Sequence, residues 1–473
     1  VLRSLRVSGF RGVASAEVTF DRTTVLIGEN DSGMSSLLEA LVLALSPNDS
    51  ERPRLEPDAF PRGGEKRPLS IELAFEKPAV TLTITASPPR SDQPVDAEWA
   101  ISSPGAAPNR NDAAGLAAIR RSHPLLRFQH GARTGAEFAS RKQRIEEWFK
   151  SARPAPRMRA MVTDILGDGG RANDQPESEV HPILLIEKPE AELHPMTLAL
   201  LGSLLEQSTH QKIVTTHSGA LLSAVPLQAI RRLVRDTAGV VRERRIGRES
   251  MTRDEQRKVG YHLRARRSIA CFARTWLLVE GETEFWLMPD LARLCGHDFA
   301  QEGVAVVEFA QCGLVPLIKF ANSLGITWHV LTDGDRAGGV YSDTVRPFLA
   351  GADRSSRLTR LEELDIEHCF WQHGYQPVFE RLARMDARGG TKPTVIIRKA
   401  IERNSKPAVA FELLSAVAAR GSEGPPPPLK DAIETCVRLA RGTELNPKPK
   451  PRRERRPQKP RARTRSHRKE QRL

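Results

Sequence analysis

The sequence predicts an α/β protein made of two parallel-sheet units in tandem, and three observations carry that prediction. A glycine-containing loop, Gly28 to Ser35, separates an apolar strand segment (Thr24–Ile27) from a stretch of helical periodicity (Ser35–Leu45). An apolar run ending in an acidic residue, Ile183–Glu187, leads into a helix over Pro195–Gln207 and a further apolar run, Lys212–Thr216. A second alternation follows, with strands at Trp276–Val279, Ala305–Phe309 and His329–Thr332 and helices at Glu284–Leu294 and Leu314–Leu324. Strands that alternate with helices in this way pair in parallel, because each crossover returns the chain to the same end of the sheet.

The remaining elements follow from local pattern. Leu2–Val7 and Ala16–Phe20 alternate as strands, as do Leu69–Phe75 and Val80–Ala86. Residues 87–111, rich in Pro, Ser, Asp and Ala, read as a loop or insertion. Arg141–Ser151 has the spacing of a short amphipathic helix, and Gly167–Glu179 reads as loop. A charged connector spans about 248–270, and from about Pro377 to Leu439 the pattern turns helical, broken by Gly424 and four prolines. The expected domains are therefore 1–247, the connector, 271–375, a helical extension at 376–445, and a tail at 446–473.

A chain of 473 residues with 39% hydrophobic and 5% aromatic content can build two or three cores, but recognition of bases mainly by stacking is disfavoured. No segment approaches the roughly 18 apolar residues of a membrane helix. The first residues alternate like a strand rather than forming a signal peptide, so a cytoplasmic location without membrane contact is expected. Five widely spaced cysteines, none in a CxxC pair, indicate neither a disulfide framework nor a zinc site. The net charge of +14 sits mostly in the tail, where thirteen Lys and Arg face two Glu between Asn446 and Leu473. Such a tail is expected to be disordered and able to grip phosphates; the alternative is a merely solubilising extension.

Gly28-Glu29-Asn30-Asp31-Ser32-Gly33-Met34-Ser35-Ser36 lies where a phosphate-binding loop belongs, after a strand and opening a helix. Backbone N–H groups freed by Gly28 and Gly33, with Asn30 and Ser36 beside them, can wrap phosphates, and Ser35 can ligate Mg²⁺. Met34 stands where the motif places a phosphate-binding lysine. Glu187 ends the second strand as a Mg²⁺-directed acid, yet Lys188 follows where a water-polarising carboxylate is usual. His217, after Lys212–Thr216, is placed to sense a γ-phosphate. The expectation is a P-loop fold that binds ATP weakly if at all and is impaired in hydrolysis. Met34 and Lys188 are both expected to face the γ-phosphate, Lys188 restoring part of the missing charge.

In the second unit, Glu280 ends one apolar strand and Asp333 and Asp335 end another. A parallel sheet delivers such residues to one crevice at its carboxyl edge. With Glu284 nearby, so many carboxylates require cations, and oxygen-only ligands suit Mg²⁺ or Mn²⁺.

The residues from Phe10-Arg11-Gly12 through the loop at Gly28, the segment Pro189-Glu190-Ala191-Glu192-Leu193-His194-Pro195 and the chain onward to about Arg441 resemble the OLD (overcoming lysogenization defect) family of ATP-dependent endonucleases. The resemblance implies an ABC/RecF-like P-loop ATPase domain, a TOPRIM α/β domain and a helical C-terminal extension, with the disordered basic tail having no counterpart. By the same resemblance Glu280 is a metal ligand or acid/base, Asp333 and Asp335 are metal ligands, Glu284 and Glu367 serve a second ion, and Lys406 in Ser405-Lys406-Pro407 stabilises transition-state charge. Gly313 matches the glycine between the two carboxylate motifs. An ABC signature is absent, Gly167-Asp168-Gly169-Gly170 being the nearest candidate.

A Mg²⁺- or Mn²⁺-dependent DNA endonuclease or nickase, expected as a homodimer, is thus the leading reading. The alternative is a non-catalytic SMC/RecF-like DNA-binding or sensing protein. Tyr261, Tyr341 and Tyr375 lie in no recognisable cleavage domain, which argues against a topoisomerase, and the cysteines supply no primase-type zinc module. Trp276, Trp286 and Trp328 are expected in the core.

Overall fold

The computed structural model describes residues 1–46, 54–61, 67–89, 93–129, 181–191, 193–207, 210–247, 249–263, 268–349, 351–386 and 390–442. The helix expected at 141–151, Gly167–Gly170, Glu192 and the basic tail lie outside them.

Two sheets organise the chain. The first has twelve strands among the described residues. Its parallel part runs Leu125–Gln129, Ile183–Glu187, Gln211–Thr215, Thr23–Gly28 and Ile230–Arg235. The other part is mostly antiparallel and reaches from Val240–Arg244 through the N-terminal strands to Asn109–Arg110. Thr23–Gly28 is central because both of its faces are apolar and buried. The N-terminal strands bury alternate residues instead, as Leu69–Phe75 does with Leu69, Ile71, Leu73 and Phe75.

The second sheet has four strands, ordered Val304–Glu308, Thr275–Val279, Thr327–Thr332 and Leu358–Arg360, all parallel. The helices that follow, Pro393–Asn404, Lys406–Ala419 and Pro427–Ala440, pack back on this unit through Leu413, Val417, Leu429 and Ile433. One apolar core continues from the first sheet (Val25, Ile186, Val214) through Val259 and Cys271 to the second (Trp276, Val307, Phe320). Buried Arg232 fastens the same junction by donating to the carbonyls of Ala273, Leu324 and Gly325.

Two expectations are corrected. Residues 87–111 are not simply a loop, since Val95–Asp96, Glu98–Ser102 and Asn109–Arg110 are strands. Glu98–Ser102 pairs with Val80–Ala86, and Trp99 is buried with its indole N–H donating to the Asp112 carbonyl. Two of these strands end the large sheet and Val95–Asp96 pairs separately with Arg54–Leu55; such short strands carry too little periodicity to stand out against their Pro and Ser neighbours. Trp276 and Trp328 are core residues, but Trp286 is 49% exposed on the outer face of Glu282–Leu294. Among the described residues no helix is long and apolar enough to cross a membrane.

Candidate functional site

Two sheet edges hold the residues singled out from the sequence. At the first, the loop after Thr23–Gly28 opens the helix Met34–Leu45. Gly33 has φ +85, and a Cβ there would lie 3.0 Å from methyls of both Val13 and Val241, so both conformation and space call for glycine. Asn30 and Ser35 are exposed and Ser36 is half-buried. Met34 is 5% exposed and belongs to the same apolar core as Leu37, Leu38 and Val241. A thioether has no reason to stay in water when a core is within reach.

Glu187 is paired. Arg127 Nε lies 2.6 Å from Glu187 Oε1, and the same guanidinium reaches Glu39. Arg127 stands on the strand Leu125–Gln129, which is in register with Ile183–Glu187 so that Gln129 lies opposite Glu187. Lys188 is exposed in the left-handed region at φ +44, its N–H donating to the Thr215 carbonyl at 2.9 Å. His217 is held by its neighbours: Glu190 accepts from the His217 N–H at 2.6 Å and from the Thr216 hydroxyl at 2.8 Å. Burial first, and then the Lys188 charge, lower the pKa of His217. A cavity of about 780 Å³ adjoins the loop, lined by Arg11, Asp58, Arg67 and Arg235 among others. Arg235 donates to the carbonyl of Asp31 at 3.1 Å, fixing that cavity to the loop.

The second edge gathers carboxylates. Leu278 pairs with Val330, so Glu280 and Asp333 leave adjacent parallel strands at the same end. Gly334 follows because a Cβ there would come within 2.3 Å of the Glu363 carbonyl, which accepts from the Gly334 N–H at 3.0 Å. Asp335 caps the helix Arg336–Val345, accepting from the Gly338 N–H at 2.7 Å. Glu284, 7% exposed, accepts from the Gly281 N–H at 3.1 Å. Glu367, 4% exposed, comes from the short helix Ile366–Phe370. Lys406 Nζ lies 3.8 Å from Glu367 Oε1 and is otherwise largely exposed. Ser405, just before it, is held at φ +73 and ψ 154, a conformation costly for a side-chain-bearing residue that aims the start of the next helix at the carboxylates.

The electrostatics show that these groups share one space. Asp333 is pushed up to about 8, by burial first and then by the charges of Glu284, Glu280, Asp365 and Glu367. Glu280 is raised by burial and by Asp335, while Lys406 pulls it down. Glu284 and Glu367 are raised mainly by burial. Three buried oxygens at this edge, Glu280 Oε2, Thr283 Oγ1 and Thr332 Oγ1, have no hydrogen-bond partner. A concentration of buried carboxylates with raised pKa and orphaned oxygens fits an oxygen-coordinated divalent cation.

Asp365 was not singled out from the sequence. It adds its charge to Asp333 and Glu367, caps Ile366–Phe370 and holds His368 Nδ1 at 2.6 Å. Tyr341 has its pKa raised by burial and then by the charges of Glu280 and Asp335. The acidic run Glu362-Glu363-Leu364-Asp365-Ile366-Glu367 was the available signal for Asp365.

Residues 1–62 and 127–270 match a family model described as a protein of unknown function, DUF2813. Residues 271–335 match the TOPRIM domain of proteins like the overcoming lysogenization defect protein. The chain is 42% identical over 268 residues to the uncharacterized protein YbjD of Escherichia coli (strain K12), an alignment covering 56% of this chain and 48% of that protein. The chain thus spans about half the length of this relative. Among solved structures, the SMC head domain from Thermotoga maritima aligns at 14% identity over 52% of this chain and 99% of its own, with a TM-score of 0.33. The C-terminal region of the Burkholderia pseudomallei OLD protein aligns at 20% identity over 36% of this chain and 99% of its own, with a TM-score of 0.30. Glu280, Glu284, Asp333 and Asp335 all fall within the TOPRIM match, a nuclease-type module. A DUF2813 match thus lies ahead of an OLD-like TOPRIM match in one chain, an order that resembles the OLD family.

Proposed function

We propose that this chain is a Mg²⁺- or Mn²⁺-dependent DNA endonuclease or nickase whose N-terminal head is impaired in ATP hydrolysis. The observation that carries the reading is the raised, uncompensated carboxylate set around Asp333. Bound divalent ions, two in this reading, would neutralise these charges and supply a water acidic enough to attack a phosphodiester at neutral pH. Glu280, Asp333 and Asp335 would hold one ion, and Glu284 with Glu367 the second. Lys406, mobile and solvent-facing beyond Glu367, is placed to meet the negative charge that grows on a scissile phosphate. Asp365 does not reach for substrate in this scheme; it holds His368 and adds its charge to Glu367.

In the N-terminal unit, Arg11, Arg67 and Arg235 line a cavity next to, but not formed by, the loop Gly28–Ser36, and nucleotide binding there rests on the loop's motif. Hydrolysis is another matter. Glu187 is engaged by Arg127, Met34 is withdrawn into the core, and Lys188 offers no carboxylate. The same three features favour the second reading, a non-catalytic SMC/RecF-like DNA-binding or sensing protein. A homodimer in the cytoplasm is part of the first reading, on the family resemblance alone.

Supercoiled plasmid incubated with the full chain and Mg²⁺ or Mn²⁺, with and without ATP, tests both. Nicking that disappears in Asp333→Ala supports the nuclease. Retained DNA binding with no cleavage under any metal condition would transfer the chain to the second reading.

A further inference from the structure

Behind the carboxylate edge lies a second group of ligand-bearing side chains that the nuclease reading does not use. Glu363, Cys369 and His373 bring a carboxylate oxygen, a thiol sulfur and an imidazole nitrogen within 4.8 Å of one another. Spacing alone gave no hint of it, since the chain has no paired cysteines and its ligand atoms come from a loop and a distorted helix. The helix Ile366–Phe370 continues into a π-helical turn, Trp371–Tyr375, where His373 has φ −95 and ψ 27 and Gly374 has φ +88. That break folds the imidazole back, so that Nδ1 lies 3.7 Å from Cys369 Sγ and donates to the Cys369 carbonyl oxygen at 2.8 Å, a proton and a hydrogen bond that a bound ion would displace. Glu363 approaches from the loop ahead of the helix, and its Oε2 is buried without a hydrogen-bond partner.

We propose that Glu363, Cys369 and His373 form a binding site for a Zn²⁺-class transition-metal ion, separate from the Mg²⁺/Mn²⁺ carboxylates. The sulfur–nitrogen separation is that of two ligands on one tetrahedral ion, for which metal–sulfur and metal–nitrogen bonds are about 2.3 and 2.0–2.1 Å. A mixed S, N, O donor set selects Zn²⁺ over Mg²⁺, which takes oxygen alone. Three protein ligands leave a fourth position for water, and the half-buried faces of Glu363 and His373 leave room for it. The Cys369 thiol faces the Glu363 carboxylate, and an ion would replace that contact, with Cys369 bound to it as a thiolate. The site has a mechanical consequence as well. The Glu363 carbonyl accepts from the N–H of Gly334, between Asp333 and Asp335, so an ion fixing Glu363 also fixes the loop that presents those two aspartates.

Cobalt(II) reports on this directly, because a cysteine thiolate on Co²⁺ gives a near-ultraviolet charge-transfer band that carboxylates do not. The full chain, stripped with a chelator, is titrated with Co²⁺ and then back-titrated with Zn²⁺. The expected result is a band saturating at one equivalent and erased by Zn²⁺, lost in Cys369→Ser and in His373→Gln but kept in Asp333→Ala. His373→Gln is decisive if Cys369→Ser fails to fold, since His373 is only partly buried. No band in the wild-type chain, or a band undiminished in Cys369→Ser or His373→Gln, overturns the site. Because Asp333→Ala removes nuclease activity without touching these ligands, the proposal and the nuclease reading fail separately.

Discussion

The two sheet edges began with similar equipment and differ in how their charge is balanced. At the head edge the acidic residue already has a cation of the protein's own: Arg127 spans Glu187 and Glu39, and all three are shielded from bulk water. At the TOPRIM edge Lys406 lies 3.8 Å from Glu367 but is 61% exposed, and the Arg360 guanidinium is taken up by the carbonyls of Gly334 and Asp335, against six carboxylates. One edge is neutralised from within, and the other depends on ions from solution. A buried charge cluster left without compensation costs stability, so it persists only where something else is gained from it. The proposed reading accordingly puts the chemistry at the second edge and gives the first a nucleotide-binding or purely mechanical role.

The sharpest way to break the comparison is to disable each edge in turn. Asp333→Ala is expected to reduce metal-dependent plasmid cleavage by about 10²–10⁴-fold, the range for loss of a principal catalytic group. Glu187→Gln should leave cleavage within about twofold, since it changes a residue already engaged by arginine. Comparable losses in both variants would mean that the head drives the chemistry after all.

The second test uses pH. Asp333 is raised from 3.8 to about 8 in the folded chain, so the folded state holds its proton more tightly than the unfolded state does. Below about pH 4 both states are protonated and the group contributes no difference. As pH rises toward 8 the unfolded chain gains free energy by ionising and the metal-free fold cannot follow, so stability falls across that window. Thermal melts of chelated protein at pH 5, 6, 7 and 8 should show this decline. Asp333→Asn should flatten it and raise Tm by several degrees at pH 8, and Mg²⁺ or Mn²⁺ should do the same for the wild-type chain. A flat profile without metal would mean that the carboxylates are already compensated.

The sequence disclosed one side of this contrast better than the other. Glu280 and Asp333 were legible because an apolar strand that ends in a carboxylate has a fixed address in a parallel sheet. Glu187 was legible for the same reason, but its partner was not: Arg127 sits on a five-residue strand sixty positions away, and nothing local marks an arginine as an internal counter-ion. The substitution at Met34 was plain, while its burial against Val241 depends on tertiary packing that no motif encodes. Trp286 misled in the opposite direction, because a large apolar residue on a helix reads as core until the neighbouring elements are known. Asp365 and the Cys369–His373 fold-back were hidden for a related reason, since each depends on a helix start or a helix break rather than on spacing.

Replacing Arg127 probes the neutralised edge. Arg127→Met leaves Glu187, with 12% of its side chain exposed, and Glu39 without their cation, at a cost of about 1–3 kcal/mol for an orphaned polar group. Denaturant melts should show that loss, and Mg²⁺ should recover part of it by taking the guanidinium's place. Binding of a fluorescent ATP analogue should then become Mg²⁺-dependent in Arg127→Met while staying largely Mg²⁺-independent in the wild-type chain. An equal Mg²⁺ requirement in both would mean that Arg127 moves aside for the ion.

The smallest expected stability effect lies between the edges. Arg274 donates from Nε to Glu29 Oε1 at 2.7 Å and from Nη2 to Oε2, joining the phosphate-loop residue to the position just before Thr275–Val279, the strand that ends at Glu280. That hydrogen bonding holds Glu29 well below the usual carboxylate range. Both side chains are substantially exposed, 51% for Arg274 and 39% for Glu29, so the pair is worth about 0.2–1 kcal/mol and Arg274→Ala should barely move Tm. Its effect on coupling is a separate quantity. An anionic phosphate arriving at the loop competes with Glu29 for positive charge, and Arg274 is the residue that passes any adjustment to the Glu280 strand. If ATP alters cleavage by the wild-type chain, Arg274→Ala should cut that response severalfold while basal cleavage stays within about twofold. A response that survives the substitution would route the signal through the shared apolar core of Val25, Ile186 and Trp276 instead. Cleavage indifferent to ATP in both proteins would make the pair a strut, consistent with a head edge that Arg127 has already neutralised.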